Sequence, residues 1–240
     1  MKVIVCENYE DMSRRTAEII AKQVKQKPTS ILGLATGSTP VRTYELLAEE
    51  YRAGKLDFSL VTSFNLDEYY PISPENDQSY RYFMQKNFFN HINIRPDATF
   101  VPKGNAENPE EECAAYDAMI DEAGGIDLQL LGIGRNGHIA FNEPEEALYA
   151  GTHVTALTES TVEANSRFFA SADDVPRHAL TMGVGSIMKA KKILILASGA
   201  EKKEAVSALL SGRVTTACPA TMLNLHPDVI LLCDSAAYNG

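Results

Sequence analysis

The sequence predicts an α/β fold in which helices cover both faces of a doubly wound, open and mainly parallel sheet. Short apolar runs alternate with amphipathic segments along all 240 residues, as in strands joined by right-handed helical crossovers. The run DLQLLGIG at 127–134 is typical of a parallel strand covered on both faces. No linker, low-complexity stretch or internal repeat divides the pattern, so we expect a single domain spanning 1–240.

A (β/α)8 barrel is the alternative architecture. It would need eight evenly spaced units and a phosphate site after its seventh and eighth strands. The units here are uneven, and the loop best suited to phosphate follows the second strand. The open sheet is therefore favoured.

The strands are predicted from apolar runs bounded by turn residues. In chain order they lie at 2–5, 30–35, 59–66, 98–101, 127–134, 152–156, 191–198 and 228–233. After the third strand, the polar segment that ends at 79 is interpreted as a long loop.

The helices are predicted from apolar residues at helical spacing. In the first of them, Ala17, Ile20, Ala21 and Val24 recur at that spacing. The predicted helices lie at 9–27, 40–53, 80–91, 109–123, 158–169, 200–211 and 219–225.

Composition narrows the classes of function. The chain carries 32 acidic residues against 22 lysines and arginines, a net charge of −10 at pH 7, which argues against nucleic acid or an anionic membrane as a partner. No apolar run is long enough for a membrane span. The N-terminus MKVIVCE does not fit a signal peptide, and Cys6, Cys113, Cys218 and Cys233 lie far apart among apolar neighbours. We therefore expect a cytoplasmic protein with reduced, buried thiols.

The first candidate site is the segment ATGSTP at 35–40, between a strand and a helix. Proline is favoured at the first helical position, which predicts Thr39 as the N-cap of a helix that starts at Pro40. Gly37 would let a ligand approach the backbone, and the hydroxyls of Thr36, Ser38 and Thr39 add donors beside the helix start. The segment predicts an anion site, with phosphate as the usual anion.

The second candidate is FNLDEYY at 64–70, at the end of the third strand, where ligands bind in open α/β sheets. Asp67 or Glu68 could serve as a general base. If the backbone stays extended there, only one of these two carboxylates points inward. The alternative interpretation is a turn acid at the start of a surface loop.

The third candidate is GIGRNGHIAFNEP at 132–144. Its glycines fit a dinucleotide-binding fingerprint, but Pro144 follows too soon for the long helix that such a site requires, so NAD is disfavoured. His138 remains, flanked by Asn136 and Glu143, and imidazole titrates near neutrality. No second histidine stands at metal-ligand spacing, so we expect no metal.

Taken together, ATGSTP, FNLDEYY, GRNGHIAFNEP, ANSRFF and TMGVGSIMKAKKILILASGAEK resemble the glucosamine-6-phosphate deaminase family over nearly the whole chain. The resemblance implies a modified doubly wound, Rossmann-like fold. It implies conversion of glucosamine 6-phosphate and water to fructose 6-phosphate and ammonia, without a metal or an organic cofactor.

The resemblance also assigns roles to residues. Asp67 matches the base that moves a proton between C2 and C1, and His138 matches the residue that assists ring opening, with Glu143 bonded nearby. A lid is implied at about 157–180. The residues implied to hold the substrate phosphate are Thr36, Gly37, Ser38, Thr39, Arg167 and Lys202.

The sequence departs from the longer family members at three places. Asn136 stands where they carry an aspartate, so it can orient His138 but cannot balance its charge. Their allosteric basic residues map near His153 and Thr155, and neither is a permanent cation. The chain ends at Gly240, without their C-terminal extension. The resemblance therefore implies the short, non-allosteric branch and a monomer.

Two other functions compete with this interpretation. One is 6-phosphogluconolactonase, whose glycine–histidine loop lacks the continuation FNEP at 141–144. The other is a sugar-phosphate-binding regulator, which would need a helix-turn-helix segment for which the strand at 2–5 leaves no room. The combination of Asp67, His138 and Glu143 favours catalysis over sensing.

Overall fold

The computed structural model describes residues 1–159, 162 and 175–239, and its main feature is an open sheet of seven parallel strands. The described residues contain ten strands in two sheets. They are β1 Lys2–Cys6, β2 Ile31–Leu34, β3 Thr62–Asn65, β4 Asp67–Tyr70, β5 Thr99–Phe100, β6 Leu128–Gly132, β7 His153–Ala156, β8 His178–Thr181, β9 Ile193–Ala197 and β10 Val229–Asp234. The order across the large sheet is β1-β10-β9-β6-β2-β3-β5. The sheet ends at two edges, so the predicted open sheet is confirmed and the barrel is excluded.

Helices cover both faces of this sheet, as predicted. The α-helices that lie wholly within the described residues are α1 Tyr9–Gln26, α2 Val41–Arg52, α3 Tyr80–Asn87, α4 Pro109–Glu122, α5 Val184–Met188, α6 Lys203–Leu210 and α7 Ser235–Asn239. Short 3-10 helices lie at Phe89–His91, Pro96–Ala98, Ala200–Lys202 and Pro219–Leu225. The predicted helices at 80–91 and 200–211 are therefore each part α and part 3-10, and that at 219–225 is wholly 3-10.

The side chains of each strand alternate between two apolar cores, because successive residues of a strand point to opposite faces. Leu194 and Leu196 of β9 pack with helices α1, α2 and α3 on one face. Ile193 and Ile195 of the same strand pack with α4, α5 and α6 on the other. Burial of both faces explains why the strand sequences are apolar throughout.

A second, three-stranded antiparallel sheet with the order β4-β8-β7 was not predicted. The interpretation of the polar segment up to 79 as a loop is wrong for its first residues, because β4 occupies Asp67–Tyr70 and pairs with β8. The sequence FNLDEYY thus contains two strands with Leu66 between them. The Leu66 N–H donates to the Leu34 carbonyl of the large sheet, and the Leu66 carbonyl accepts from the Met182 N–H beside the small sheet.

Most of the predicted lid at 157–180, including Arg167, and most of the predicted helix at 158–169 lie outside the described residues. The two flanks of this segment are described. The Leu157 N–H donates to the Arg177 carbonyl at 2.8 Å, next to the paired strands β7 and β8. The end of β7 and the start of β8 are therefore adjacent, so the segment between them begins and ends at the same place.

All four cysteines are buried and free, which confirms the prediction of reduced thiols. Burial raises the pKa of the Cys6, Cys113, Cys218 and Cys233 thiols. They are therefore held as unreactive thiols rather than thiolates. Within the described part of the chain, no helix has the length and apolar character of a membrane span.

Asp127 ties together the starts of three neighbouring strands. Its buried carboxylate accepts hydrogen bonds from the Ile31 N–H, the Lys27 ammonium and the Lys191 ammonium, at 2.9, 2.6 and 2.7 Å. Burial alone would raise the pKa of Asp127, but the bonds from Lys191, Lys27 and Ile31 outweigh it and lower the pKa. The ionised carboxylate therefore stabilises the fold.

We expect Asp127→Asn to lower the free energy of unfolding at pH 7 by about 1–3 kcal/mol, because charged hydrogen bonds to a buried group are lost. The wild-type contribution is complete above the unfolded-state pKa of about 3.9 and is lost as pH falls through the lower folded-state pKa. Denaturant unfolding at several pH values should therefore show a smaller acid-dependent loss in the variant. The matched control is Asp121→Asn, which breaks an exposed pair with Lys189 and should change stability little. Equal losses in both variants would contradict this role.

Candidate active site

The candidate site lies where the connections of the large sheet diverge. From β2 the chain proceeds to β3 on one side, whereas β6 is followed in the sheet by β9 on the other side. The carboxyl ends of β2 and β6 therefore border the position at which ligands usually bind in such sheets. The loop after β2 and the glycine–histidine loop, defined here as residues 133–144 after β6, meet there.

The loop after β2 offers unpaired donors. Within the described part of the chain, no acceptor is found for the backbone N–H groups of residues 36–39. The same holds for the hydroxyls of Thr36, Ser38 and Thr39. Gly37 and Ser38 are exposed, and Gly37 has φ of 86° with open space around its Cα. The arrangement suits an anion, because several donors converge without internal acceptors.

The predicted N-cap at Thr39 is wrong. Helix α2 begins at Val41, and Pro40 is the cap residue, with αR backbone angles and no side-chain capping bond. The Val41 N–H donates instead to the Ser38 carbonyl at 3.4 Å, so a turn precedes the helix. The Thr39 hydroxyl is consequently left available to a ligand.

Two tyrosines that the sequence analysis did not single out support this loop. The Tyr44 hydroxyl donates to the Ala35 carbonyl at 2.6 Å, and the Tyr9 hydroxyl donates to the Ser38 carbonyl at 3.1 Å. The Arg42 N–H in turn donates to the Tyr9 hydroxyl. No local sequence signal marks these contacts, because Tyr9 reaches the loop from another helix.

Asp67 and Glu68 are both buried, with 6% and 1% of their surface exposed. One inward-pointing carboxylate was expected, but β4 is covered on both faces, so neither side chain reaches solvent. The Glu68 carboxylate accepts N–H bonds from Tyr80 at 2.7 Å, Arg81 at 2.9 Å and its own neighbour Tyr69 at 3.0 Å. It thus caps the start of α3 and is fixed in place.

Burial raises the pKa of Asp67, and the neighbouring Glu68 charge raises it further. Burial likewise raises the pKa of Glu68, while the three N–H bonds oppose that increase. Glu68 has acceptor bonds that favour its ionised form, whereas Asp67 accepts no such bond from the described residues. Asp67 is therefore the stronger base of the two, which suits proton transfer.

Two glycines shape the glycine–histidine loop. A Cβ on Gly134 would lie 2.4 Å from the His138 ring, so the imidazole packs directly on the Gly134 backbone. Gly137 has φ of 82°, and a Cβ there would lie 2.2 Å from the Cys218 sulfur. The glycines that resemble a dinucleotide fingerprint therefore serve the position of the histidine.

Asn136 and Glu143 hold His138 from two sides. The side-chain amide of Asn136 donates from Nδ2 to Glu143 Oε2 at 2.7 Å. Its Oδ1 accepts from the backbone N–H of His138 at 3.2 Å. His138 Nδ1 lies 3.3 Å from Glu143 Oε2, within ion-pair distance but without hydrogen-bond alignment. Glu143 is buried, so its carboxyl group lies beside the imidazole and away from solvent.

The glycine–histidine loop is attached to the small sheet beside Asp67. The Phe141 N–H donates to the Thr181 hydroxyl at 3.0 Å, and the Asn142 amide donates to the Met182 carbonyl at 2.8 Å. Thr181 is the strand partner of Asp67. The structure therefore joins the second and third candidate segments of the sequence.

Lys202 stands on the 3-10 helix after β9, the strand next to β6. Asp234 fixes the preceding turn by accepting bonds from the Ser198 hydroxyl and the Gly199 N–H. Burial lowers the pKa of Lys202, and the positive charge of Arg135 lowers it further, against the effect of Glu201. Arg135 is a residue that the sequence analysis did not select.

The sequence-predicted residues that the structure describes all follow the carboxyl ends of strands in the large sheet; they are Asp67, Asn136, His138, Glu143, the 36–39 loop and Lys202. Arg167 lies outside the described residues. Among the residues described, no group of three His, Cys, Asp or Glu side chains could hold a metal ion.

Comparison with known proteins gives a consistent family. The model of the family described as "Glucosamine-6-phosphate isomerases/6-phosphogluconolactonase" matches residues 7–231. A glucosamine-6-phosphate deaminase of Clostridium perfringens is 62% identical, over 99% of this chain and 98% of its own. One of Thermoanaerobacter pseudethanolicus is 58% identical, over 99% and 94%.

Solved structures agree with the fold. A structure described as a monomeric glucosamine-6-phosphate deaminase superposes with a TM-score of 0.96 at 47% identity, covering 99% of this chain and 98% of the other. The 6-phosphogluconolactonase of Thermotoga maritima has a TM-score of 0.76 at 21% identity, covering 98% and 99%. At that identity the second likeness shows the fold alone.

We expect Gly137→Ala to lower the free energy of unfolding by about 2–4 kcal/mol, because a left-handed backbone and a collision with Cys218 act together. Gly212→Ala is the matched control, since Gly212 has φ of 72° with no atom near its Cβ position. That control should lose about 1 kcal/mol. Adding Cys218→Ala should restore part of the loss in Gly137→Ala but none in Gly212→Ala. Equal losses at both glycines, measured by denaturant unfolding, would contradict the packing argument.

Proposed function

Because the chain belongs to the family of glucosamine-6-phosphate isomerases and 6-phosphogluconolactonases, we propose that it converts glucosamine 6-phosphate and water to fructose 6-phosphate and ammonia. The observation that carries the proposal is the attachment of the His138 loop to Thr181 and Met182, beside the buried Asp67. This attachment supports a site in which Asp67 and His138 act on the same substrate.

The phosphate of the substrate binds at the loop after β2. The backbone and hydroxyl donors of Thr36, Gly37, Ser38 and Thr39 surround it, and Lys202 supplies a positive charge from the end of β9. By resemblance to the family, Arg167 supplies another. Support comes from the unpaired donors of the loop and from the fixed turn that carries Lys202.

Ring opening is the first chemical step. It removes the proton of the C1 hydroxyl and delivers a proton to the ring oxygen, as the C1–ring oxygen bond breaks. His138 exchanges these protons, and Glu143 stabilises the imidazolium that forms between the two transfers. Asn136 holds the Glu143 carboxylate and the His138 backbone in register, although it adds no charge.

Isomerisation follows on the open chain. Asp67 removes the C2 proton while the C1 oxygen takes a proton from the C2 ammonium, which gives an enolamine with a hydroxyl at C1, and Asp67 then returns its proton to C1. The product of this step is an imine at C2. Water adds to that imine, and ammonia leaves to give the ketone at C2. A buried carboxylate of raised pKa favours the uptake of a carbon-bound proton.

The reaction makes the enzyme a hydrolase of the C2 carbon–nitrogen bond. Side chains supply every proton transfer, so we propose that no metal or organic cofactor takes part. We also propose a cytoplasmic monomer without allosteric activation, as the resemblance to the short branch implies. Support for the monomer comes from the similar solved structure described as monomeric.

The direct test is incubation of the purified chain with glucosamine 6-phosphate in the presence of EDTA. We expect equal amounts of ammonia and fructose 6-phosphate, and an Asp67→Asn variant that produces about 10²–10⁴-fold less. In deuterated water the wild type should exchange the C2 proton, which NMR detects, and the variant should not. A folded wild type without ammonia release would refute the function. Exchange that survives in Asp67→Asn would refute Asp67 as the base.

We expect Glu68→Gln to move the acid limb of the pH profile of kcat/KM to lower pH. Removal of the neighbouring negative charge lowers the pKa of Asp67, so the base stays ionised to lower pH. Glu107→Gln is the control, because it removes an equal charge from an exposed position. An unchanged or raised acid limb in a folded Glu68→Gln variant would show that Glu68 does not affect the base.

A further inference from the structure

Arg135 follows the strand that lies between the two parts of the proposed phosphate site. In the order of the large sheet, β6 is flanked by β2 on one side and β9 on the other. The loop after β2 carries residues 36–39, and the 3-10 helix after β9 carries Lys202. Neighbouring strands are about 4.8 Å apart, so an arginine side chain just after β6 is long enough to span the distance to either neighbouring strand end. Arg135 is the third residue after β6 and is exposed.

The positive charge of Arg135 acts on Lys202. It is close enough to Lys202 to lower the pKa of that ammonium. No carboxylate within the described part of the chain forms an ion pair with either Arg135 or Lys202. Arg42, by contrast, pairs with Glu10, Glu45 and Glu49.

Two unpaired cations side by side repel each other, and an anion between them removes that cost. The chain has an excess of ten acidic residues, so local pairing of these cations was readily available and is absent here among the residues described. The free donors of the 36–39 loop follow β2, the strand on the other side of β6 from β9. The three features together fit a phosphate dianion.

We propose that Arg135 is a further phosphate-binding residue, which contacts the substrate phosphate from the loop after β6, opposite the backbone donors of residues 36–39. The inference rests on the proposed function for the identity of the substrate, but not for the binding of phosphate. The guanidinium presents two parallel N–H donors to phosphate oxygens, which an ammonium cannot do. The same loop thus carries both His138, for ring opening, and a group that fixes the far end of the sugar.

The test compares Arg135→Ala and Arg135→Lys with the wild type. Binding of inorganic phosphate is measured by its stabilisation of thermal unfolding, and KM and kcat for glucosamine 6-phosphate are measured with the competitive Ki of inorganic phosphate. We expect Arg135→Ala to weaken phosphate binding and to raise KM and Ki about tenfold, with most of the loss of kcat/KM in KM. Arg135→Lys should recover only part of the affinity, because it restores the charge but not the paired donors.

Arg95→Ala is the matched control. Arg95 is exposed and precedes β5, so it lies at the end of the sheet opposite to the site. Its loss changes the net charge by the same amount as the loss of Arg135. Unchanged phosphate affinity and KM in Arg135→Ala, or equal effects in Arg95→Ala, would overturn the inference. So would a loss confined to kcat with an altered pH profile, which would place Arg135 with His138 and Glu143 instead. Phosphate binding that depends on Arg135 in a chain that releases no ammonia would refute the proposed function and leave this inference standing.

Discussion

The site depends on one backbone junction, at Leu66. Its N–H bonds to the parallel sheet through Leu34, and its carbonyl bonds to the Met182 N–H beside the antiparallel sheet. One residue therefore links the parallel sheet to the antiparallel sheet. Asp67 follows immediately, so its side chain is held where the two sheets meet. A base placed on a free loop would lack this constraint, and its position relative to His138 would vary.

Charge is distributed along the edge of the sheet in a way that matches an amino-sugar phosphate. Lys202 and Arg135 follow β9 and β6, the uncharged donors of 36–39 follow β2, and the carboxylates of Asp67 and Glu68 follow β3. The substrate carries a phosphate at one end and an amine at C2, near the other end. Opposite charges on the protein favour a single orientation of such a molecule, because the reversed orientation would place phosphate against buried carboxylates.

The strands of the large sheet and most helices followed from periodicity, because apolar runs such as KKILILAS admit few alternatives. Strand β4 did not follow, because DEYY is polar in sequence and is buried only through its contact with β8 and α3. The cap at Thr39 failed for a related reason, since a turn before Val41 replaces side-chain capping. Motif positions predicted the residues that converge at the site. The positions of Glu68 and Tyr9 depend on contacts between distant segments, which no local pattern encodes.

The buried thiols react only where the structure around them unfolds, so their reactivity reports unfolding. Cys6 packs in the core under α1, whereas Cys218 and Cys233 pack in the core on the opposite face of the sheet. Since the closed state protects all four, alkylation proceeds only through local or global unfolding. The order in which these sulfurs react under mild denaturant therefore ranks the stability of the two faces separately. Because Cys218 touches Gly137, its reactivity specifically follows the loop that carries His138.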